Sequence, residues 1–517
     1  MRRFGGHWWL LAGLVWLAGC TANPVTGKKE LSLVSEGQEI QIGQQNYAPS
    51  RQMQGGDYVL DPELSAYVND VGQSLAAVSD RPLPYEFAVL NSSVPNAWAL
   101  PGGKIAINRG LLLEMGTEAE LAAVLGHEIV HAAARHGAKS MQRGMLLQGA
   151  VLGAAIGARD SDYANLLVGG ASVAAQLINT KYGRSAELES DEYGMKYMSK
   201  AGYDPQGAVR LQETFVRLSE DRSQNQNWLA GLFASHPPSQ ERVDKNKITA
   251  QSLPAGGETG EDRYQVRIAG LKKDKPAYDA YDEGHKALSE GKTSEALALV
   301  NKAIKLQSRE GHFYALRGDI RQEQGRFKDA RTNYTSALNR NPEFFYYHLQ
   351  RGLMNERLGS DVNARQDLES SVKLLPTATA YNALGKIAQR GGDVQQAKEY
   401  YRAAAGSNSA VGKAALESLV ILDLPSNPGN YLRTRTALDS NGYLFVEVDN
   451  PTPVSVADVA LAIRYLDADG RVREVSRRIS NTLGPEQQMQ VATRLGPFTS
   501  ANSFEVAIVG ARVLRDN

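Results

Sequence analysis

A fixed step runs through the C-terminal half of the chain. Gly291, Gly325 and Gly359 are each 34 residues apart, and Gly392 follows after 33. Ala296, Ala330, Ala364 and Ala397 keep the same steps, and Tyr334 and Tyr401 fall at equivalent places. A period of this length describes one unit of two helices, with glycine at the turn and a small residue where the helices cross closely. Such a unit cannot bury its apolar face alone. Four of them, from about residue 277 to 408, must therefore stack into an α-solenoid, and Gly406 to Leu422 reads as a closing helix. An ordinary helical bundle has no need of two steps of 34 and one of 33.

Upstream lies His127-Glu-Ile-Val-His131. Histidines four apart share one helix face, so both imidazoles reach one metal ion. Glu128 points about 100° round the helix, where the base acting on a metal-activated water stands. Thr117 and Glu120 form a capping box, so the helix is expected to run from Glu118 to Ala138 with the motif at its rigid middle. Its small and apolar neighbours (Leu121, Val124, Leu125, Ala132, Ala133) predict burial.

A second helix begins at Ser185 and carries Glu187 and Asp191, again four apart. Glu187 completes a His₂Glu zinc site with one position open, and Asp191 accepts the free N–H of a ligating histidine. Glu189 and Glu192 point to other faces and read as solvated, with Glu189 the next candidate ligand after Glu187. His136, five residues after His131, reads as a structural or supporting residue. Asn96 to Ile107 reads as two short strands around Pro101-Gly102-Gly103. Taken alone the segment reads first as a structural hairpin; an edge strand beside a metal helix can also dock an extended peptide through its main chain, which makes Asn96, Ala97, Trp98, Gly103, Lys104 and Ile105 candidate substrate-binding residues. The apolar runs Met145 to Ile156 and Leu166 to Ile178 are too short to cross a bilayer and read as a helical hairpin over the site.

The N-terminus reads as a targeting segment. Arg2 and Arg3 precede a short apolar run, Trp8 to Leu17, and then Ala18-Gly19-Cys20. This resembles a bacterial lipoprotein signal with Cys20 as the lipidated residue. Cys20 is the one cysteine in the chain, so no disulfide is available. Thr21 in place of Asp implies the outer membrane, with the body in the periplasm. The 57 basic and 57 acidic residues cancel, and nothing in that balance points to nucleic acid.

HExxH, then a helix with ExxxD, then Ser235-His236-Pro237 and Arg242 resemble the HtpX, Oma and CAAX-prenyl-protease family of zinc metalloproteases, and within it the periplasmic BepA-like members. The resemblance covers about residues 60 to 250. Gly183 and Ser190 depart from its usual Ser and Ala. It implies one zinc per chain held by His127, His131 and Glu187, with Glu128 as general base and Asp191 supporting a ligating histidine. It also implies a loop histidine, His236, that either occupies the open zinc position or faces substrate beside Arg242. The 34-residue step is that of tetratricopeptide repeats, whose concave face takes peptides or protein partners.

The expected architecture is multidomain. A lipoprotein signal (1–19) and an N-terminal tether (20–55) lead into a mainly α, zincin-like metalloprotease domain with a small β-sheet (56–250). A linker (251–276), the repeats with their closing helix (277–422) and a small antiparallel β-sandwich (423–517) follow. The expected function is a zinc endopeptidase of the cell envelope acting on protein substrates recruited by the repeats. The alternatives are a chaperone or assembly factor for outer-membrane proteins with a latent site, and a zinc hydrolase acting on peptidoglycan.

Overall fold

A computed structural model describes residues 19–150, 176–178, 181–220, 235–467, 469–500 and 503–514. Nearly all of the signal segment and most of the helical hairpin expected around residues 145–178 fall outside these residues. The described chain divides into two bodies, the first ending at Ser360 (with Lys373–Leu375) and the second running from Asp361.

The first body begins with an antiparallel ribbon, β1 (Gly19–Ala22) and β2 (Lys29–Ser32). Helix α1 (Glu36–Met53) follows, opened by a reciprocal Ser35–Gln38 capping box. The N-terminal segment 20–55, expected as a tether leading into a helix near Ser35 to Asn46, thus carries that helix, packed against the domain. Tyr47 donates its hydroxyl to the Ile105 carbonyl at 2.6 Å. Gly43 lies so close to Pro101 that a Cβ there would stand 1.9 Å from its carbonyl oxygen. Helix α2 (Pro62–Ala76) buries Leu64, Val68, Val71 and Leu75, the face its periodicity predicts.

Strands β3 (Glu86–Leu90), β4 (Ala97–Leu100) and β5 (Lys104–Asn108) form a sheet of order β3-β5-β4. Gly102 and Gly103, both at positive φ, make the turn between the last two. After the short α3 (Arg109–Leu112), the metal-motif helix α4 runs from Glu118 to Ala133, buried throughout. Thr117 caps it by accepting from the Glu120 N–H, but the Glu120 carboxylate takes the Gly116 N–H instead of closing the box. The helix ends five residues sooner than expected because Arg135 adopts φ 65°. Its guanidinium is anchored on Glu39 and the Val34 carbonyl, and α5 (His136–Ala150) then starts in a new direction.

Helices α6 (Arg184–Lys200), α7 (Gln206–Glu220) and α8 (Gln240–Ser252) complete the domain around α4. The expected linker is structured too. It holds α9 (Glu261–Arg267), whose buried Tyr264 donates to the Leu112 carbonyl at 2.7 Å, and the start of α10 (Ala269–Ser289). Helices α11 (Thr293–Leu306), α12 (Gly311–Glu323), α13 (Phe327–Leu338) and α14 (Phe345–Arg357) continue the repeats. One apolar core runs without a break from Val25 through Leu125 and Tyr264 to Ile320.

The second body starts with α15 (Asp361–Leu374), α16 (Ala378–Arg390), α17 (Val394–Ala405) and the closing α18 (Ala410–Asp423). The four turn glycines take φ of 71–81°, which only glycine adopts without strain. The repeated tyrosines find their purpose here: each lies on a glycine of the preceding helix. A Cβ on Gly385 would stand 2.6 Å from the Tyr401 ring, and one on Gly318 2.6 Å from Tyr334. Gly385→Ala is expected to cost about 1–3 kcal/mol by overpacking, read as a lower midpoint in thermal denaturation followed by circular dichroism.

Two three-stranded antiparallel sheets end the chain. Strands β6 (Arg433–Leu438), β7 (Leu444–Asn450) and β10 (Gln487–Ala492) make one, in order β10-β7-β6. Strands β8 (Val456–Leu466), β9 (Val472–Ile479) and β11 (Phe504–Val513) make the other, in order β11-β8-β9. Leu444, Val446 and Val448 share a core with Val459, Leu461 and Ile463, the packing of a small sandwich.

Candidate metal centre

Helix α4 presents His127, Glu128 and His131, and α6 crosses it closely because two glycines face each other. A Cβ on Gly194 would lie 3.0 Å from the His127 nitrogen, and one on Gly126 3.1 Å from the Gly194 carbonyl oxygen. That approach brings Glu187 and Asp191 of α6 onto the histidines. His236, in the loop before α8, closes the cluster. Ligand atoms of His127, His131, Glu187 and His236 all lie within 4.8 Å of one another, and all four residues are buried.

The spacing within the cluster is that of a metal shell. His131 Nε2 is 3.0 Å from His127 Nε2 and 3.4 Å from Glu187 Oε1, and His127 Nε2 is 3.5 Å from Glu187 Oε2. His236 Nδ1 lies 3.1 Å from Glu187 Oε1 and 3.3 Å from His127 Nε2. A tetrahedral zinc with bonds of about 2.0–2.1 Å sets its donors roughly 3.3 Å apart. Three ring nitrogens and a carboxylate converging in this way fit a divalent metal with nitrogen and oxygen ligands.

The surroundings fix these groups. His127 Nδ1 meets Asp191 Oδ1 at 2.9 Å, which leaves Nε2 to face the cluster. Arg242 clamps Asp191 with two contacts of 2.7 Å and reaches Glu187 Oε2 at 3.1 Å. The guanidinium of Arg242 is thus tied to these two carboxylates. Burial opposes ionisation of Glu187 and Asp191, yet the imidazoles hold Glu187 far below the usual carboxylate range, and Arg242 holds Asp191 down. Burial likewise works against a charged His127, but its bonds to Asp191 and Glu187 push it up to about 10.

Glu128 behaves differently. Burial pushes its carboxyl above the ordinary value. Its Oε1 lies 3.6 Å from His236 Nε2, and its Oε2 is buried without a hydrogen-bond partner. A carboxylate oxygen left bare in such a place is unusual in a purely structural role.

The strand residues separate. Strand β5 is paired on both sides, parallel with β3 and antiparallel with β4. Gly103, Lys104 and Ile105 therefore have no free edge, and Lys104 is tied to Glu86 and the Pro84 carbonyl. Of the two hairpin strands the edge is β4, with Ala97 and Trp98, and Asn96 just ahead of it; among the described residues no strand pairs with its outer side. Glu189, expected in solvent, turns inward to His136, while Glu192 is exposed and pairs with Lys196 as a surface residue does. Tyr182 was not singled out from the sequence. Its ring stacks on His131 at 3.9 Å between centroids, and an aromatic directly before Gly183-Arg184 is too weak a pattern to have found it.

Residues 62–249 match Peptidase family M48, and residues 315–379 and 378–410 match tetratricopeptide repeats. The chain carries a peptidase family M48 domain. It is 30% identical over 200 residues to the putative beta-barrel assembly-enhancing protease of Vibrio cholerae, across 38% of this chain and 40% of that protein. It is 26% identical over 374 residues to the beta-barrel assembly-enhancing protease of Escherichia coli, across 69% of this chain and 72% of that protein. The mitochondrial metalloendopeptidase OMA1 of Arabidopsis thaliana is 30% identical over 173 residues, across 33% of this chain and 32% of that protein. The M48 domain with its buried His127, His131, Glu187 and His236 is a metallopeptidase domain, and the tetratricopeptide repeats after it are of a kind that binds other proteins.

Proposed function

We propose that the chain is a zinc endopeptidase of the bacterial cell envelope that cleaves misfolded or stalled envelope proteins, β-barrel proteins among them. Cys20 carries its lipid anchor to the outer membrane, and the repeats recruit clients. The observation that supports this most is the convergence of His127, His131 and Glu187 with the bare carboxylate of Glu128 beside them. No described helix is long and apolar enough to cross a membrane.

Zinc, when bound, supplies a Lewis acid that polarises a scissile carbonyl and acidifies a water. His127, His131 and Glu187 hold it, and Asp191 keeps the proton of His127 on Nδ1. Glu128 takes a proton at its free Oε2 and delivers it to the leaving amine. The outer side of β4 pairs with the substrate backbone. A cavity of about 30 Å³ beside Glu128, walled by Val124, Met195, Leu211 and Phe215, receives a small apolar side chain of the substrate.

The place of His236 favours the second reading, an assembly factor with a latent site. Its Nδ1 stands among the other ligands, where a substrate carbonyl must come. His236→Ala is expected to raise cleavage of an unfolded outer-membrane protein about tenfold, equivalent to removing roughly 1.4 kcal/mol of competition. A rate no faster than wild type shows that His236 does not keep the site shut. If wild type, Glu128→Gln and His236→Ala all fail to cleave and all support outer-membrane assembly in cells, the assembly-factor reading replaces the protease.

A further inference from the structure

We propose that His136 and Glu189 form a positioning pair that fixes the proton of His131, and that the N-terminal ribbon holds this pair in place through Asn23. The inference rests on His131 being a metal ligand, as read above.

The pair exists because α4 breaks. With Arg135 at φ 65° and tied to Glu39, the chain turns back and sets His136 behind His131. The two Nδ1 atoms are 3.0 Å apart. On its other side, His136 Nε2 meets Glu189 Oε1 at 3.3 Å, and Asn23 donates its amide to the same oxygen at 3.3 Å. Asn23, His131 and His136 are all buried. Asn23 is itself pinned, its own oxygen accepting from the Val25 and Thr26 N–H groups in the loop between β1 and β2.

Proton bookkeeping gives one arrangement. His131 Nε2 faces the metal cluster and must be bare to bind, so the ring carries its proton on Nδ1. That N–H points at His136 Nδ1, which must then be the acceptor. His136 consequently holds its own proton on Nε2, where the Glu189 carboxylate receives it. Each contact then has one donor and one acceptor, and both rings are neutral. The reverse tautomers place two protons, or none, between the Nδ1 atoms, or turn a protonated Nε2 of His131 into the cluster. Ser190 Oγ, 3.4 Å from His136 Nδ1, is close enough to share that acceptor.

The two ligating histidines are thus braced by separate routes. His127 has a carboxylate directly, Asp191, clamped from α8. His131 reaches its carboxylate through a second imidazole, and the route ends three residues after Cys20. Loosening the ribbon at Asn23 therefore loosens one metal ligand and not the other.

The test is metal affinity, measured on metal-stripped full-length protein by zinc competition against a chromophoric chelator, with the visible spectrum of the cobalt-substituted protein alongside. His136→Ala is expected to weaken zinc 10–100-fold, the usual effect of removing a ligand's supporting partner. Glu189→Ala is expected to act in the same direction. Glu189→Gln, which keeps an acceptor oxygen, is expected to stay within about threefold of wild type. Asn23→Ala is expected to fall between, and the cobalt spectrum to shift in His136→Ala. Wild-type affinity in both His136→Ala and Glu189→Ala, with an unchanged cobalt spectrum, overturns the proposal. If His136→Ala does not fold, the Glu189 pair decides: equal affinities for Glu189→Ala and Glu189→Gln also overturn it. A wild type that binds no zinc removes the metal-site reading itself, a result distinct from failure of the variants.

Discussion

Glu128→Gln is expected to lower the rate of peptide cleavage by about 10²–10⁴-fold, the range for loss of a general acid–base group, while zinc stays at wild-type occupancy. The geometry makes this a clean substitution. Glutamine has nearly the same shape, and the carboxylate it replaces makes no short hydrogen bond: Oε1 has only the 3.6 Å approach of His236 Nε2, and Oε2 has no partner. Burial already disfavours the charged form at this place, so removing the charge does not weaken the fold. Cleavage assays, metal analysis and a melting curve on the same preparation separate the possibilities. Cleavage within about tenfold of wild type moves the general base away from Glu128.

The second large effect is expected far from the metal. Glu310 is 3% exposed and caps α12. Its carboxylate accepts from Asn91 Nδ2 at 3.0 Å, the Tyr278 hydroxyl at 2.6 Å and the His312 N–H at 2.9 Å. Arg109 Nε donates to Asn91 Oδ1 at 2.8 Å, and its guanidinium covers the Tyr278 ring, while His312 Nε2 contacts the Gly55 carbonyl at 3.0 Å. This network joins the M48 domain to the first repeats. Burial disfavours charge on Glu310, but its partners hold it ionised, so the group is a buried, satisfied anion. Glu310→Ala strands three buried donors and is expected to cost about 3–5 kcal/mol. Chemical denaturation measures it, and hydrogen exchange is expected to show lost protection in α10 and α12 together. A loss below about 1 kcal/mol would mean that the apolar core alone holds the two parts together.

What the sequence made legible has a common character: it is local. His127, Glu128 and His131 share one turn of helix, and the 34-residue steps repeat a contact made between neighbouring helices, so both leave a period in the chain. Glu187 and Asp191 were readable once the first two ligands were in hand, because four-residue spacing again places them on one face. The features that stayed hidden depend on partners distant in sequence. The Gly126–Gly194 approach joins two segments separated by the whole of α5 and the region after it. The stop at Arg135 depends on Glu39, and helix propensity within 134–138 gives no sign of it. Glu189 looked like a solvated surface residue, since nothing nearby marks Asn23 and His136 as its partners. Strands β6 and β9 are hard to read from sequence because they are largely exposed and rich in arginine, and carry little of the apolar alternation that marks an inner strand. Sequence alone likewise does not show that β5 lies between two neighbours.

The unbroken core from Val25 to Ile320 has a consequence for how this chain can be cut and recombined. Tyr264, Ile268 and Leu271 lie past the end of the M48 match, yet they are buried in the same core as Leu125 and Tyr197 of the metallopeptidase helices. Truncation at residue 250 would strip that surface bare and leave an aggregation-prone stump. Peptidase helices and first repeats are therefore expected to fold as one piece. A catalytic half grafted onto a different adaptor would need to bring the two leading helix pairs along with it.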